Sequence, residues 1–441
     1  MIGFRRALHG CFPVWGDALF ELSDAILCSP APVGSVPSLS LEPVFRRSHG
    51  SIYKALARGH IDEDQIRQLL VASGPPRWPQ VFAVDASTWD RCDAETSPER
   101  GFYYSASKHS NAQPIVAGWS YQWITQLDWA PDSWTAPLDA LPIPPNADTV
   151  TETVQQVQRL VDQLDSNGAD TPMFVFDAGY DPIALTAALA DTPLQILVRI
   201  SPKRVFHPDP APRPDRSLRR PRRHGNRFVL SEPDTWPAPD TEHVTSDPRY
   251  GNIHVQAWSD MHPKLHGRGR WASTTDMPPI VRGTVICVEV EHLPKPTSRT
   301  VKTLWLWWSG PDTPNLDTCW RAYLPRFDIE HTFRFAKNTL RWTTPAIRTP
   351  EQADRWTWPI IAAYTQLRLR RGLLKDLRLP WERPQQPALL TPTRVRQGFR
   401  QLRPTIRTPA HPPKSLTPGP GRPKGTRKPP RTRYPAIKKA A

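Results

Sequence analysis

The chain lacks the features of several large classes of protein. Its five cysteines are odd in number, scattered and without a CxxC pair. This argues against a disulfide framework or a cysteine zinc site and indicates a reducing compartment. No apolar run approaches the roughly 20 residues that a membrane-spanning helix needs, and residues 1–16 lack an uninterrupted signal-peptide core. We therefore expect a cytoplasmic protein that does not span a membrane.

Acidic residues are missing from one end of the chain. From Gln386 to Ala441 there are 14 Lys or Arg and no Asp or Glu, whereas the other residues carry 43 basic and 42 acidic groups. A nearly neutral body with a strongly basic end favours binding to a polyanion, with nucleic acid as the first candidate and an acidic membrane surface as the second. Because no Gly-rich phosphate loop or nucleophile elbow is present, we expect no nucleotide cofactor.

Proline, by contrast, is abundant, with 53 residues against a usual share of about 5%. Residues 1–79 are predicted to be a helical N-terminal region that ends at the breaker SGPPRWP. A small basic cluster there is either a solvated helix face or a DNA-contacting module. It consists of Arg46, Arg47, Lys54 and Arg58.

Residues 80–200 have the pattern of a mixed sheet. VFAVDAS (81–87), FYYSASK and PIVAGWSYQWIT predict three strands. A helix that ends at Asn167-Gly168 follows, and then the strand MFVFDAG (173–179), the helix DPIALTAALA and the strand LQILVRI. Hairpins followed by βαβ crossovers predict an α/β fold in which helices flank a mixed sheet.

The rest of the chain is predicted to contain three segments. Residues 201–312 alternate Pro- and Arg-rich loops with short strands, which indicates a β-rich insertion. Residues 313–385 return to helices, at 325–340 and 351–374. Residues 386–441 are too rich in proline and basic residues to predict a folded structure, so we expect a disordered basic tail.

Two aspartates end predicted buried strands. Asp85 and Asp177 each close an apolar run, and a buried carboxylate needs a partner. One alternative is that each caps the turn or helix that follows. If the two met Glu330 from a later helix, the three would repel one another unless cations lay among them. Three carboxylates suit Mg²⁺ or Mn²⁺, and two such ions can promote attack on a phosphodiester.

Residues 323–337, YLPRFDIEHTFRFAK, predict an amphipathic helix. At 100° per residue, one stripe holds Tyr323, Arg326, Glu330 and Lys337 within roughly 60° of one another, beside an apolar face. Pro325 suits a first helical turn, with Tyr323 just ahead of the helix. The stripe is either a surface helix with an Arg326–Glu330 pair one turn apart, or a metal ligand beside phosphate-binding cations.

These segments resemble a known family. The spacing Tyr-x2-Arg-x3-Glu-x6-Lys matches the YREK signature of bacterial insertion-sequence transposases with an Asp-Asp-Glu (DDE) triad. The strings FAVDAST, FVFDAGYD and RFDIEHTFRFAK resemble the three catalytic blocks of that family, in order. The resemblance covers about residues 80–375, and the third block is the most specific. It implies an RNase H-like fold in which the first predicted strand lies beside the fourth.

The resemblance also implies an activity and a set of partners. The triad Asp85, Asp177 and Glu330 would bind two Mg²⁺ ions, with Mn²⁺ able to substitute, cut double-stranded DNA at the ends of the element and join the 3′-hydroxyl to target DNA. The residues implied to contact DNA are Tyr323, Arg326 and Lys337. Pairing of two element ends implies a homodimer at work, associated with the nucleoid and with no membrane partner.

Three weaker signals lie elsewhere in the chain. GRPKG (421–425) resembles the core of an AT-hook, although nonspecific phosphate binding by Arg422 and Lys424 is the simpler and favoured account. The run LWLWW (304–308) is either a buried strand or, as in some members of the family, a source of a tryptophan that stacks on an extruded base. The histidines at 254, 262 and 266 are either a surface loop or a zinc site.

A DDE transposase is the interpretation that uses all the main signals. The alternative is a catalytically inactive, transposase-derived DNA-binding protein or repressor, which the intact triad and the intact YREK stripe disfavour. A glycosidase with a pair of carboxylates would leave Arg326, Lys337 and the basic tail without a role.

Overall fold

The structure of the chain is a computed structural model. It describes residues 2–29, 32–104, 115–130, 132–164, 170–212, 222–267, 269–272, 277–293, 303–378, 380–414, 423, 425 and 430–438. The chain divides into two compact units. The first unit contains Met1–Pro79, Asp85–Thr149 and Phe327–Ala441, and the second contains Gln80–Val84 and Val150–Arg326.

The helices and strands are numbered in chain order. The helices are α1 (Ile2–Gly10), α2 (Gly16–Cys28), α3 (Val36–Leu39), α4 (His49–Arg58), α5 (Glu63–Ala72), α6 (Thr149–Gln163), α7 (Pro182–Ala188), α8 (Leu316–Tyr323), α9 (Asp328–Asn338), α10 (Pro350–Arg368) and α11 (Pro392–Leu402). The strands are β1 (Val81–Asp90), β2 (Gly101–Tyr104), β3 (Ile115–Gln126), β4 (Ala136–Ile143), β5 (Met173–Phe176), β6 (Gln195–Arg199), β7 (Val205–Phe206), β8 (Phe228–Val229), β9 (Thr241–Asp247), β10 (Gly251–Met261), β11 (Gly283–Val290) and β12 (Thr303–Ser309). Among the described residues, none of these helices has the length and apolar character needed to cross a bilayer.

The first unit is built around α2. Nearly every residue of its sequence, GDALFELSDAILC, is buried, and α2 packs against α4, α10 and α11. A helix that is apolar on most of its circumference needs neighbours on several sides. Helices α1–α5 confirm the predicted helical character of the N-terminal region.

A buried carboxylate joins both ends of the first unit. Asp24 on α2 accepts hydrogen bonds from the Arg5 guanidinium at 2.7 and 2.8 Å, and from Arg403 Nε at 2.9 Å. Arg5 also donates to Gln366 Oε1 on α10 at 2.6 Å. A carboxylate this deeply buried is tolerated because two guanidinium groups neutralise it and satisfy its oxygens.

The predicted disordered tail is wrong for residues 387–411. Helix α11 lies in this segment, and its side chains Val395 and Phe399 are fully buried. Arg396 donates two hydrogen bonds to the carbonyl of Ile26 on α2, at 3.1 and 3.0 Å. The proline and charge content of the whole segment concealed a short amphipathic helix with one apolar face. Arg422 and Lys424 lie outside the described residues.

The sheet of the first unit is antiparallel around β3. The first part of β3 pairs with β2 and the later part with β4, and the second half of β1 belongs to the same unit. Strand β4 was not predicted, because Pro137 and Pro142 interrupt its sequence. Among the described strands β4 pairs with β3 alone, and an edge strand tolerates proline because one side of its backbone needs no partner.

The second unit contains a mixed sheet. Residues 81–84 of β1 pair in parallel with β5, and β5 pairs in parallel with β6. The order then continues through β12, β11, β10 and β9, all antiparallel. Helices α6 and α7 make the crossovers. The predicted α/β class is confirmed, and β1 lies beside β5, which is the fourth strand of the sequence prediction.

The tryptophan-rich run forms a buried strand rather than an exposed platform. Trp305, Trp307 and Trp308 lie on β12 and are almost fully buried. Trp307 Nε1 donates to Thr186 Oγ1 at 2.9 Å, and Trp308 Nε1 donates to Gln195 Oε1 at 3.1 Å. The base-stacking alternative is therefore not supported for these three residues.

We expect that Asp24→Asn lowers the free energy of unfolding by about 3–5 kcal/mol, because it leaves two buried guanidinium groups without a negative charge. Urea denaturation followed by tryptophan fluorescence measures this loss. The control is Asp93→Asn, since the Asp93 side chain is 74% exposed and 3.5 Å from Arg91; it should change stability by less than about 0.5 kcal/mol. Equal effects of the two substitutions would contradict the importance of the Asp24 cluster.

Candidate active site

Two parallel strands position the first two acids. Residues 81–84 of β1 pair with Met173–Phe176 of β5 in register, with Val84 opposite Phe176. All eight residues are buried, and Phe82 stacks on Phe174 with ring centroids 5.2 Å apart. Asp85 and Asp177 are the next residues along the two strands. The pairing of these apolar residues thus fixes where each strand passes from the core to a half-exposed position, which Asp85 and Asp177 occupy.

Asp85 does not end its strand, contrary to the sequence prediction. Strand β1 continues to Asp90, with Ser87 and Trp89 buried on alternate positions. One face of the strand therefore remains in the core after the apolar run has ended. Asp85 is half-buried, and its Oδ1 accepts a hydrogen bond from the Ala86 amide at 2.8 Å.

Asp177 follows the last residue of β5, as predicted. Asp177 does not cap helix α7, because the N-cap of α7 is Asp181, whose carboxylate accepts from the amides of Ile183 and Ala184 at 3.0 and 3.3 Å. A turn does begin at Asp177, since its carbonyl accepts from the Tyr180 amide at 3.2 Å. The Asp177 side chain is 40% exposed, so it is accessible to solvent or to a ligand.

A tyrosine and an arginine lie against Asp177 in the second unit. Tyr323 donates its hydroxyl to Asp177 Oδ1 at 3.5 Å, and one Arg326 nitrogen lies 3.6 Å from the same oxygen. The Arg326 guanidinium also lies over the Tyr323 ring, 5.8 Å from its centroid. Burial raises the pKa of Tyr323 to about 12, so its hydroxyl remains a hydrogen-bond donor at neutral pH.

The predicted continuous helix at 325–340 is wrong at its start. Tyr323 is the last residue of α8, Leu324–Phe327 form a 3₁₀ turn, and α9 begins at Asp328. Pro325 has no amide hydrogen for an α-helical bond, and its ring crowds the preceding turn. The regular 100° spacing therefore does not extend from Tyr323 to Glu330. Arg326 lies in the 3₁₀ turn and Glu330 on α9, so the predicted Arg326–Glu330 pair is not a pair within one helix.

The other two residues of the predicted YREK signature, Glu330 and Lys337, lie on α9 in the first unit. Ile329, Phe333 and Ala336 form its buried face, and Glu330 is half-exposed beside them. Lys337 Nζ donates to the carbonyl of Thr88 on β1 at 2.9 Å. Burial lowers the pKa of Lys337, an effect that the carboxylates of Asp90 and Glu330 partly offset. Lys337 thus fastens the helix that carries Glu330 to the strand that carries Asp85.

The structure places the predicted residues in two groups. Asp177, Tyr323 and Arg326 belong to the second unit, whereas Asp85, Glu330 and Lys337 belong to the first. Sequence reasoning missed two neighbours that act on these groups. They are Asp90, which acts on Lys337, and Arg199, which lowers the pKa of Tyr323. Arg199 ends β6, so its position at the end of a parallel strand beside β5 was the available signal.

The chemistry of each predicted acid suits a hard divalent cation. Asp85, Asp177 and Glu330 each offer carboxylate oxygens from a half-exposed position, and Mg²⁺ binds through one or two such groups while it retains water. Arg326 supplies positive charge at Asp177.

Comparison with protein families identifies the group to which this architecture belongs. Residues 7–264 match the family described as DDE superfamily endonuclease. The chain belongs to this family. Among curated proteins no match was found. DDE superfamily nucleases act on DNA and generally use divalent metals. The matched range contains Asp85 and Asp177 and ends before Glu330, so the third acid and the YREK signature stay predictions.

Two other sequence predictions have a structural outcome. Arg46 and Arg47 of the basic cluster bind Glu21 at 2.7 and 2.6 Å, so both hold the N-terminal helices together. His254 lies 3.2 Å from Glu242, and His262 is buried with its Nε2 3.0 Å from His224 Nδ1. In the described part of the chain, His254, His262 and His266 do not form a group of metal ligands.

We expect that Lys337→Met lowers the free energy of unfolding by about 1–3 kcal/mol, because the Thr88 carbonyl and the nearby carboxylates lose their partner. Thermal or urea unfolding of the metal-free protein measures this. Lys54→Met, at an exposed position on α4, is the control and should cost less than about 0.5 kcal/mol. Unchanged stability of the Lys337 variant would show that the contact with Thr88 contributes nothing.

Proposed function

We propose that the protein is a transposase that cuts DNA at the ends of an insertion sequence and transfers the cut strand to a target. Asp85, Asp177 and Glu330 would hold two Mg²⁺ ions, for which Mn²⁺ can substitute. The observation that carries this proposal is the contact of both Tyr323 and Arg326 with Asp177.

The register of β1 and β5 gives further support. Val84 and Phe176 are partners in a parallel pair, so the two aspartates follow equivalent positions. Lys337 holds α9, and with it Glu330, against β1. When bound, two divalent ions would activate a water or a 3′-hydroxyl and stabilise the oxygen that leaves the phosphodiester.

Arg326 is 7% exposed and lies 3.6 Å from Asp177. Its guanidinium would bind a phosphate of the DNA beside Asp177 through two parallel hydrogen bonds. The protonated Tyr323 hydroxyl can donate to a neighbouring phosphate oxygen. Both residues would then orient the strand that is to be cut.

The DNA-binding surface would extend to the basic C-terminal residues. Arg422 and Lys424 carry positive charge in a segment without acids, which suits contact with DNA phosphates. Two element ends must be held together during transfer, so we propose a homodimer in the DNA complex, associated with the nucleoid.

A second candidate is a catalytically inactive, transposase-derived repressor. The pairing of Arg326 with Asp177 is compatible with it, because a carboxylate neutralised by an internal cation needs no metal. The two candidates differ in one measurable respect, since only the enzyme releases a nicked product.

The test uses DNA that carries the inverted repeats flanking the gene, incubated with protein and Mg²⁺. We expect wild-type protein to nick this DNA, and Glu330→Gln to bind it with similar affinity but to leave it uncut, because the substitution removes one carboxylate ligand and keeps the side-chain volume. Gel electrophoresis of the products and a binding titration measure the two effects separately.

Glu351→Gln is the matched control. Glu351 is an exposed residue in the first turn of α10, so its substitution should leave both binding and cleavage unchanged. Full cleavage by the Glu330 variant would remove Glu330 from the mechanism. Binding without cleavage by the wild-type protein would favour the repressor.

A further inference from the structure

Three segments that are distant in the sequence meet at one point of the first unit. His9 lies at the end of α1, Asp17 lies in the first turn of α2, and His411 follows α11. Asp17 Oδ1 is 2.9 Å from His9 Nε2 and 3.4 Å from His411 Nδ1. One ligand atom of each residue lies within 4.8 Å of the other two. Among the described residues, His9, Asp17 and His411 are the one group of three or more potential metal ligands whose ligand atoms lie this close together.

These distances are those expected between ligands of a single ion. With metal–ligand bonds of about 2.0–2.2 Å, neighbouring ligand atoms are about 2.8–3.1 Å apart in an octahedral site and about 3.3–3.6 Å apart in a tetrahedral one. The 2.9 Å distance to His9 falls in the first range and the 3.4 Å distance to His411 in the second. The His411 side chain is 79% exposed, so a small rotation can adjust its nitrogen without disturbing the core.

The backbone around His411 is fixed even though its side chain is exposed. Its amide donates to Asp17 Oδ1 at 3.0 Å, and its carbonyl accepts from Arg47 at 2.7 Å. The main chain at His411 is therefore held beside Asp17 by contacts that do not depend on the imidazole. Only the side-chain torsions of His411 lose freedom when the residue binds an ion.

The charge balance permits a cation at this point. Arg47 lies 3.2 Å from Asp17 Oδ2, but it also binds Glu21 at 2.6 Å, so its charge is shared between two carboxylates. A divalent ion at this point would therefore meet a carboxylate that shares its counter-ion with Glu21.

The donor types select the class of metal. Two imidazole nitrogens and one carboxylate favour divalent transition metals such as Zn²⁺ over Mg²⁺, which prefers oxygen ligands. Three protein ligands leave further coordination positions for water. The chemistry differs from that of the all-carboxylate set proposed for DNA cleavage, so the two sites can be studied separately.

We propose that His9, Asp17 and His411 bind a divalent metal ion of the zinc class. The ion joins the first two helices to the segment that leads into the basic C-terminal residues. This site is independent of the proposed function, because none of its residues belongs to the predicted catalytic set.

Isothermal titration with Zn²⁺ tests the proposal on the full-length protein, in the presence of millimolar Mg²⁺ to occupy carboxylate-only sites. We expect one Zn²⁺ per chain for the wild type, and a loss of affinity of at least about tenfold for His411→Gln. Zn²⁺ should also raise the melting temperature of the wild type and not that of the variant. His9→Gln should behave like His411→Gln.

The control is His49→Gln, which removes an exposed histidine at the start of α4. It should retain the affinity of the wild type. Because the His411 side chain is exposed, its substitution should leave the metal-free melting temperature unchanged, so a loss of zinc binding cannot be attributed to unfolding. Absence of zinc binding by the wild type, or equal affinity in the wild type and both ligand variants, would overturn the proposal.

Discussion

The parallel register between Val84 and Phe176 is the constraint on which the candidate active site depends. Successive side chains of a strand point to opposite faces, so a shift of one residue would move the acid that follows to the wrong side of the sheet. All eight residues of this pair are buried, so a shift would disturb the packing on both faces of the two strands. The core therefore fixes the two positions at which Asp85 and Asp177 leave the apolar layer.

Buried and half-buried carboxylates need positively charged partners, and in this chain Arg or Lys side chains lie beside several of them. Arg326 lies at Asp177, and Lys337 lies near Glu330 and Asp90. In the first unit, Arg5 and Arg403 donate hydrogen bonds to the fully buried Asp24. The difference lies in access. Asp24 is closed to solvent, whereas the Asp177 side chain is 40% exposed.

Sequence patterns predicted those parts of the structure that local chemistry determines. Runs of β-branched and aromatic residues gave β1, β3, β5 and β6, and the position of Asp177 after β5 followed from them. The 3₁₀ turn at Leu324–Phe327 was missed because the 100° rule ignores the effect of Pro325 on the preceding turn. Strand β4 was missed because its prolines are tolerated only at an edge, which depends on its neighbours.

The remaining differences arise from contacts between residues that are distant in the sequence. Helix α11 folds because α2 provides a surface for Val395 and Phe399, and composition gives no sign of that surface. The group of His9, Asp17 and His411 spans about four hundred residues of chain. Family membership identifies the class of enzyme, but the matched residues end before Glu330. The third acid therefore depends on the spacing of one motif.

The most direct test of the central claim is a crystal structure of the protein grown with Mn²⁺ and recorded at the manganese absorption edge. The account predicts anomalous density bounded by the carboxylates of Asp85, Asp177 and Glu330. Manganese bound elsewhere, with these three side chains directed to separate regions, would contradict it.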